Sequence, residues 1–236
     1  ITPTYSGADV NNYSVTDQSS TTADISAKAL TATASASNKT YDGGTTASTT
    51  LTFTGLVGSE TLGQTVGSTF DNKNVGTGKT VTVNSITLAD GSGLAANYSI
   101  SAGQTTTANI TVKSLTVSNV SASNKTYDGT TTALMDGTSA VYSGLVEGDT
   151  FDGTYTGAFS DKNVGVGKTV SITSSYSGVD VSNYSVTDQS TTTANITAKS
   201  LTVSGITASD KTYDGSVTAT MKGNSAVYSG LVSGDT

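Results

Sequence analysis

The side chains best suited to chemistry lie in one short motif, Lys-Thr-Tyr-Asp-Gly, which occurs three times in the chain. Each copy places a tyrosine hydroxyl beside an aspartate carboxylate, a pair that could contact a calcium ion or a glycan. The alternative is a tight turn: Asp-Gly supplies the positive φ of a hairpin, the tyrosine ring packs in the core and its hydroxyl bonds the backbone. This structural interpretation is favoured, and it assigns nine residues to a structural repeat motif: Tyr41, Asp42, Gly43, Tyr127, Asp128, Gly129, Tyr213, Asp214 and Gly215.

Two Gly-x-Gly-Lys-Thr stretches, at residues 76–80 and 165–169, look like the end of a phosphate-binding loop. Such a loop also requires an earlier glycine, and Lys73 and Lys162 stand at that place. The first stretch is followed by a strand pattern, Val81-Thr-Val83, so no helix N-terminus is available for a phosphate. A nucleotide site is therefore not expected.

Aspartates are the remaining candidate metal ligands, because calcium prefers oxygen donors. Four of them could gather in one place in the second half of the chain: Asp152, Asp161, Asp180 and Asp188. No stretch has the alternating spacing of a calcium-binding loop, and glutamate, the usual bidentate ligand, occurs only at Glu60 and Glu147. The prediction is therefore that the protein has no cofactor and no metal, with a calcium ion between domains left open.

The composition excludes most enzyme chemistry. The chain has no His and no Cys, and all 11 of its basic residues are Lys. Ser-His-Asp and Cys-His triads, imidazole or thiolate metal sites and disulfides are therefore absent. A glycosidase could work with carboxylates alone, but two glutamates in 236 residues argue against one. The protein is predicted not to be an enzyme.

Charge and hydropathy exclude two further classes of partner. The formal net charge is -7, so no basic face is available for nucleic acid. No apolar run approaches the length of a membrane span, so none is expected in this segment. The chain contains 47 Thr and 35 Ser but one Pro, a composition that indicates β-structure solubilised by hydroxyl groups.

Repeats determine the domain organisation. The motif tyrosines Tyr41, Tyr127 and Tyr213 are spaced by 86 residues in both intervals. Residues 29–113 and 114–199 form two complete repeats; residues 1–28 correspond to the C-terminal part of a preceding repeat and residues 200–236 to the N-terminal part of a following one. The preferred interpretation is a window of a longer tandem array. The alternative is that the two open ends complement a neighbouring chain by strand donation.

Within each repeat the apolar pattern is that of β-strands. Segments such as Leu115-Thr-Val117 and Val170-Ser-Ile172 alternate apolar and hydroxyl side chains, which predicts antiparallel sheets with one buried face. Strand-sized segments are separated by glycine-containing turns, which suggests all-β domains of the sandwich type. The joint from Ile110 to Val117 contains no Gly and no Pro, so domains joined end to end would form a rod that gains about 35 Å per repeat.

The order of motifs resembles a known family. Lys-x-Tyr-Asp-Gly is followed by Ser-Gly-Leu-Val-x-Gly-Asp-Thr, Asp-Lys-Asn-Val-Gly-x-Gly-Lys-Thr, Asn-Tyr-Ser-Val-Thr and Ala-Asn-Ile-Thr-x-Lys-Ser-Leu-Thr-Val. This is similar to the YDG-type tandem repeat of large bacterial surface proteins, the filamentous-haemagglutinin-like adhesins. The first repeat departs from the pattern at Gly58-Ser59-Glu60. The resemblance implies immunoglobulin-like β-sandwich domains of about 86 residues in an extracellular, cell-surface stalk that presents a distal adhesive region.

Two functions are therefore carried forward. In the first, the chain is a structural stalk or filament module whose partners are the neighbouring repeats of the same long chain. In the second, the repeats bind glycans or identical chains in a filament or bundle, through exposed tyrosines at Tyr142, Tyr155 and Tyr176. Tyr142 is replaced by Phe53 in the first repeat, which favours packing over a site that depends on the hydroxyl.

Overall fold

The computed structural model describes all 236 residues, and they fold almost entirely into β-strands. The helical segments are three short 3-10 turns, each ending directly before the tyrosine of an Asn-Tyr-Ser sequence: Val10–Asn12, Ala95–Asn97 and Val181–Asn183. The predicted all-β class is confirmed. No helix of the protein has the length and apolar character needed to span a membrane.

The strands follow the repeats of the sequence. The first repeat contains β1 (Lys28–Ala29), β2 (Thr31–Ala36), β3 (Lys39–Thr40), β4 (Thr49–Thr54), β5 (Leu62–Phe70), β6 (Gly76–Asp90), β7 (Tyr98–Ser99) and β8 (Thr105–Thr111). The second contains β9 (Lys113–Ser118), β10 (Ser121–Ala122), β11 (Lys125–Thr126), β12 (Thr132–Ala133), β13 (Met135–Asp136), β14 (Val141–Ser143), β15 (Asp152–Phe159), β16 (Gly165–Ser177), β17 (Tyr184–Thr187) and β18 (Thr191–Thr197). The last segment contains β19 (Thr202–Ser204), β20 (Thr207–Ala208), β21 (Met221–Lys222) and β22 (Val227–Ser229).

The alternation of apolar and hydroxyl residues explains why these segments form strands. In β8 and β18 the same pattern places Ala108, Ile110, Ala194 and Ile196 in the core, while the asparagine between each Ala and Ile and the threonines on either side are more exposed. Burying each isoleucine contributes roughly 1.5–3 kcal/mol. The β-branched threonines fit the extended backbone, and their hydroxyl groups hydrate the outer face without charged side chains.

The second repeat divides its strands between two sheets, as a β-sandwich does. The larger sheet has the order β11-β18-β16-β15-β12, and the smaller has the order β14-β9-β17. The first repeat has a four-stranded sheet, β3-β8-β6-β5, and two short pairs, β2-β4 and β1-β7. The long pairs are antiparallel, but four short pairs are parallel: β1-β7, β3-β8, β11-β18 and β9-β17.

The core of the second repeat lies on the larger sheet. Phe159, Val170 and Ile196 are buried there with two small residues, Ala133 and Ala194. Val170 is fully buried, and every residue of this cluster is at most 6% exposed. The smaller sheet contributes its own buried residues from β9, where Leu115 is 0% exposed.

Two compact units divide the chain differently from its sequence period. One unit comprises Ile1–Ser37, Thr45–Asp71 and Gly78–Ala108, and the other comprises Asn38–Gly44, Asn72–Thr77 and Asn109–Thr236. Two internal segments of the first repeat, one of which carries its Lys-Thr-Tyr-Asp-Gly motif, and its last five residues therefore belong to the same compact unit as the second repeat. All the residues of the site described next lie in that second unit.

Candidate functional site

The first Lys-Thr-Tyr-Asp-Gly motif begins as a strand and ends as a turn. Strand β3 runs parallel to β8, and the Tyr41 backbone N–H continues the pairing by donating to the Thr111 carbonyl at 2.9 Å. Within the turn, Asp42 Oδ1 accepts from the Gly44 N–H at 2.9 Å and from Lys39 Nζ at 2.7 Å. Gly43 has a φ of +79°, which glycine adopts without strain.

The motif is therefore a turn, but it differs in two ways from the turn that the sequence predicts. It does not close a hairpin, because β3 pairs with β8 while the next strand, β4, pairs with β2. The tyrosine hydroxyl does not bond backbone either: Tyr41 donates it to the carboxylate of Asp149, at 3.0 and 2.8 Å from the two oxygens. The ring itself is buried, with Tyr41 only 1% exposed.

The same turn forms in the other two copies of the motif. Lys125 Nζ contacts Asp128 Oδ1 at 2.7 Å, and Lys211 Nζ contacts Asp214 Oδ1 at 2.9 Å. The ammonium group of Lys125, together with the Thr130 N–H, lowers the pKa of Asp128 to about 2. Gly129 and Gly215 have φ values of +81° and +74°, so the backbone conformation of Gly43 recurs in all three copies.

At the first motif, five side chains form a network that we call the Lys73 cluster: Tyr41, Lys73, Asp149, Asp180 and Tyr184. Lys73 Nζ lies 2.8 Å from Asp149 Oδ1 and 2.8 Å from Asp180 Oδ1. The two carboxylate side chains are 2% and 6% exposed, whereas the lysine side chain is 36% exposed. One partly exposed lysine thus forms ion pairs with two buried carboxylates.

Both tyrosines of the cluster donate to Asp149. Tyr184 donates its hydroxyl to Asp149 Oδ2 at 2.5 Å, and the Val146 N–H donates to the Tyr184 oxygen at 2.9 Å. The rings of Tyr41 and Tyr184 meet edge to face with centroids 5.5 Å apart. Asp149 therefore accepts from two hydroxyls and one ammonium group, which satisfies a carboxylate that is almost fully buried.

Two further contacts lie next to the cluster. The Val75 N–H donates to Asn183 Oδ1 at 2.9 Å, and Asn183 is 1% exposed. A Cβ atom added at Gly43 would lie 2.7 Å from Val146 Cγ1, so a larger residue would collide with the loop that carries Asp149. The turn of the motif and this loop are packed closely together.

Part of the cluster recurs one repeat later. Tyr127 donates its hydroxyl to Asp235 at 2.9 and 2.8 Å, and Lys162 Nζ lies 3.2 Å from Asp235 Oδ1. This copy is more open, because the side chains of Lys162 and Asp235 are 48% and 21% exposed. The third motif tyrosine, Tyr213, is 92% exposed.

A comparison with protein families explains the period. The sequence model of the YDG domain matches residues 26–108 and again residues 111–194. The chain belongs to the YDG domain family. The tandem YDG repeat predicted from the motifs is thereby confirmed, while the adhesin context rests on the resemblance alone. No curated protein and no solved structure matches the chain.

The YDG domain boundaries show that the Lys73 cluster combines two domains. Tyr41 and Lys73 come from the first YDG domain, and Asp149, Asp180 and Tyr184 come from the second. All five belong to one compact unit. The first domain has Glu60 where the second has Asp149, and Glu60 accepts a hydrogen bond from Tyr98 in the same way that Asp149 accepts from Tyr184.

The pKa shifts in the Lys73 cluster indicate that its groups keep fixed charges and do not exchange protons near neutral pH. Hydrogen bonds to Asp149 and Asp180 raise the pKa of Lys73, and burial together with the bond to Asp149 raises the pKa of Tyr184 to about 12. Burial and the Asp149 hydrogen bond also raise the pKa of Tyr41. At neutral pH the lysine is therefore protonated and both phenols are neutral.

The aspartates considered as calcium ligands lie in separate contacts. Asp180 contacts Lys73, Asp161 Oδ1 accepts from Lys168 Nζ at 2.7 Å, and Asp188 accepts from the Tyr176 hydroxyl. Asp152 lies at the start of β15. No three acidic residues of the chain lie close enough together to hold a metal ion. The expectation that the protein needs no cofactor stays a prediction.

Sequence reasoning missed Asp149, and it considered Asp180 only as a calcium ligand. It treated the Gly-Asp of each Leu-Val-x-Gly-Asp segment as a turn and the lysine of Lys-Asn-Val-Gly as part of a false phosphate loop. The sequence does contain a signal for this contact. Lys73 and Asp149 recur as Lys162 and Asp235, so each YDG tyrosine is accompanied by a lysine and an aspartate at the same positions of the repeat.

Low pH should lower the free energy of unfolding because it protonates the aspartates of the Lys73 cluster. Burial alone would raise the pKa of Asp149, but Lys73 and the two tyrosine hydroxyls outweigh it and lower the pKa; Lys73 also lowers the pKa of Asp180. A folded-state pKa below the unfolded value adds stability at higher pH, and this is lost as the pH falls through about 4 and below. Urea unfolding as a function of pH should therefore show a plateau near neutrality and a decline in acid.

The Lys73→Ala variant is the control for this pH dependence. Without the ammonium group, Asp149 and Asp180 lose the hydrogen bond that contributes most to lowering their pKa, so the acid-induced loss of stability should shrink. An acid decline of the same size in the variant and the wild type would show that the cluster is not its source.

Proposed function

We propose that the YDG domains of this chain form a structural stalk or filament module of an extracellular bacterial adhesin or matrix protein. In this role the domains set length and stiffness and present a distal adhesive region. One observation carries the proposal: the Lys73 cluster places side chains of two successive YDG domains in one network inside a single compact unit. Domains coupled in this way resist bending better than domains joined by a flexible linker.

The backbone between the domains supports the same role. Strand β8 ends at Thr111 and β9 begins at Lys113, so Val112 alone separates them. A connection of one residue leaves little freedom for the chain to turn between the strands.

The surface chemistry fits an environment of variable salt. Ser and Thr make up 82 of the 236 residues, the sum of 35 and 47, whereas charged residues make up 12%. Hydroxyl groups stay solvated at any ionic strength, while interactions between exposed charges are screened. The solvation of the protein surface therefore depends little on the salt concentration.

A glycan-binding role for the tyrosines is less well supported. The hydroxyls of Tyr142 and Tyr155 lie 3.0 Å apart, and Tyr176 donates to Asp188. The rings of Tyr142 and Tyr176 pack on Phe151 with centroids 5.4 and 5.0 Å away. All three hydroxyls are already hydrogen-bonded within the protein, so few of their polar atoms are available for a sugar.

Small-angle scattering on arrays of two and four whole repeats tests the stalk, with and without calcium. A stalk gains a constant increment of about 35 Å in maximum dimension for each added repeat. Adding calcium should leave the maximum dimension unchanged. Arrays in which the lysine equivalent to Lys73 is replaced by alanine should give a broader distribution of dimensions. Compact particles, or equal flexibility with and without these lysines, would contradict the proposal.

A further inference from the structure

The N-terminal segment of the second repeat passes from one sheet to the other. It begins as β9 in the smaller sheet and ends as β11 at the edge of the larger sheet. The C-terminal segment makes the same change, from β17 in the smaller sheet to β18 in the larger one. The two segments pair in parallel in both sheets, since β9 pairs with β17 and β11 pairs with β18. The opening and closing segments of the repeat are therefore bonded to each other in two places.

A glutamine side chain extends the parallel pair of the smaller sheet. Strands β9 and β17 pair over four residues, 113–116 opposite 184–187. Beyond the strands, the Val120 N–H donates to Gln189 Oε1 at 2.9 Å, and Gln189 Nε2 donates to the Val120 carbonyl at 2.8 Å. The glutamine amide thus bonds the backbone of the opening segment as a further strand residue would, and the pairing reaches residue 120.

The parallel pair of the larger sheet is also longer than its strands. Strand β11 has two residues, and the Tyr127 N–H continues its pairing with β18 by donating to the Thr197 carbonyl at 2.8 Å. The Thr197 hydroxyl donates to the Lys125 carbonyl at 3.3 Å. On the other side, the Asn195 N–H donates to Asn124 Oδ1 at 2.7 Å. Backbone and side-chain hydrogen bonds together hold the last strand of the repeat to its opening segment.

The first repeat has the same two parallel pairs, β1 with β7 and β3 with β8. The additional bonds of the β11-β18 pair recur around β3 and β8. The Tyr41 N–H donates to the Thr111 carbonyl at 2.9 Å, and the Thr111 hydroxyl donates to the Lys39 carbonyl at 3.3 Å. The Asn109 N–H donates to Asn38 Oδ1 at 2.6 Å. Parallel pairing of the opening and closing segments is therefore a feature of the domain fold and not of one copy.

The direction of this pairing determines how a domain responds to tension. In a stretched chain, the opening strand is pulled towards its N-terminus and the closing strand towards its C-terminus. In a parallel pair these two pulled ends lie at opposite ends of the pair, so the strands are sheared and their evenly spaced hydrogen bonds carry the load together. In an antiparallel pair the pulled ends would lie side by side, and the bonds would break one after another.

We infer that each YDG domain is a tension-bearing module whose two parallel pairs form a shear clamp. In the second domain this clamp joins residues 113–127 to residues 184–197. Tension enters it directly, because Val112 alone separates β8 from β9. Leu115 and Ile196 are 0% and 1% exposed, so water has little access to the strand bonds beside them. The inference concerns a single domain and does not depend on the stalk or adhesin role.

Optical tweezers that pull the 236-residue protein in two directions test the clamp. The chain has no Cys, so pairs of introduced cysteines at exposed positions define where the force acts. Ser114→Cys with Ala198→Cys loads both parallel pairs in shear. Ser114→Cys with Ser182→Cys pulls on one end of the β9-β17 pair and peels it. The rupture force at equal loading rate should be at least about twofold higher in shear, because the bonds share the load. Equal forces, or a lower force in shear, would overturn the inference.

Gln189→Ala in the same two cysteine backgrounds separates shearing from peeling. The variant removes both bonds to the Val120 backbone, at the end of the β9-β17 pairing that lies far from Ser114. Forced unfolding follows the unfolding rate, so the rupture rate at a fixed force should rise at least about fivefold in shear. In the peeling direction these bonds break last, and the rupture force should stay unchanged. An equal effect in the two directions, or none in shear, would overturn the assignment of the clamp.

Discussion

Replacing Lys73 by alanine is expected to lower the free energy of unfolding by about 3 kcal/mol. The variant leaves Asp149 and Asp180, 2% and 6% exposed, without the cation that pairs with both of them. Removing one member of a buried ion pair costs far more stability than the pair contributes, because the remaining charges stay desolvated. Urea unfolding monitored by far-ultraviolet circular dichroism measures the loss.

Lys162→Ala is the matched control for Lys73→Ala. Lys162 has the same place in its Lys-Asn-Val-Gly motif, but its ion-pair partner, Asp235, is 21% exposed and Lys162 itself is 48% exposed. Exposed pairs contribute about 0–1 kcal/mol, so this variant should change the stability little. Equal losses from the two variants would contradict the burial argument.

Truncating the first motif tyrosine should have an effect of similar size. Tyr41→Ala removes a ring that is 1% exposed and packs against Tyr184, and should cost about 3–5 kcal/mol. Tyr41→Phe keeps the ring and loses the hydroxyl that donates to Asp149, and should cost about 1–2 kcal/mol. Thermal and urea unfolding of the three proteins gives the order directly.

The third copy of the motif supplies the control for Tyr41. Tyr213 is followed by the same Asp-Gly and preceded by the same Lys-Thr, yet it is 92% exposed. Tyr213→Ala should therefore change the free energy of unfolding by no more than about 0.5 kcal/mol. A large loss of stability in Tyr213→Ala, or none in Tyr41→Ala, would contradict the claim that Tyr41 stabilises the fold through its burial.

The all-β class and the repeat period could be predicted from the sequence because both are local or periodic signals. Alternation such as that of Ala108 and Ile110 with the polar residues of β8 determines which face of the strand is buried. The turn at Asp42 and Gly43 follows from the residue types themselves. The parallel pairing of β9 with β17 was not foreseen, because alternation identifies a strand without identifying its neighbour.

The partner of Tyr41 could not be predicted for a different reason. Its hydroxyl donates to Asp149, which is 108 residues away, whereas the equivalent carboxylate of its own repeat, Glu60, is 19 positions away in the sequence. Nearly identical repeats give no local signal for choosing between a contact within one repeat and a contact with the next. Identical motifs also differ in burial, since Tyr41 is 1% exposed and Tyr213 is 92% exposed.

A double-mutant cycle between Lys73 and Asp149 tests the central claim most directly, that successive YDG domains are coupled through the Lys73 cluster. Lys73→Ala, Asp149→Asn and the double variant are compared with the wild type by urea unfolding. Because the two side chains lie 2.8 Å apart in a buried network, we expect a coupling energy of about 2 kcal/mol or more. Additive effects, with a coupling energy below about 0.5 kcal/mol, would contradict the claim.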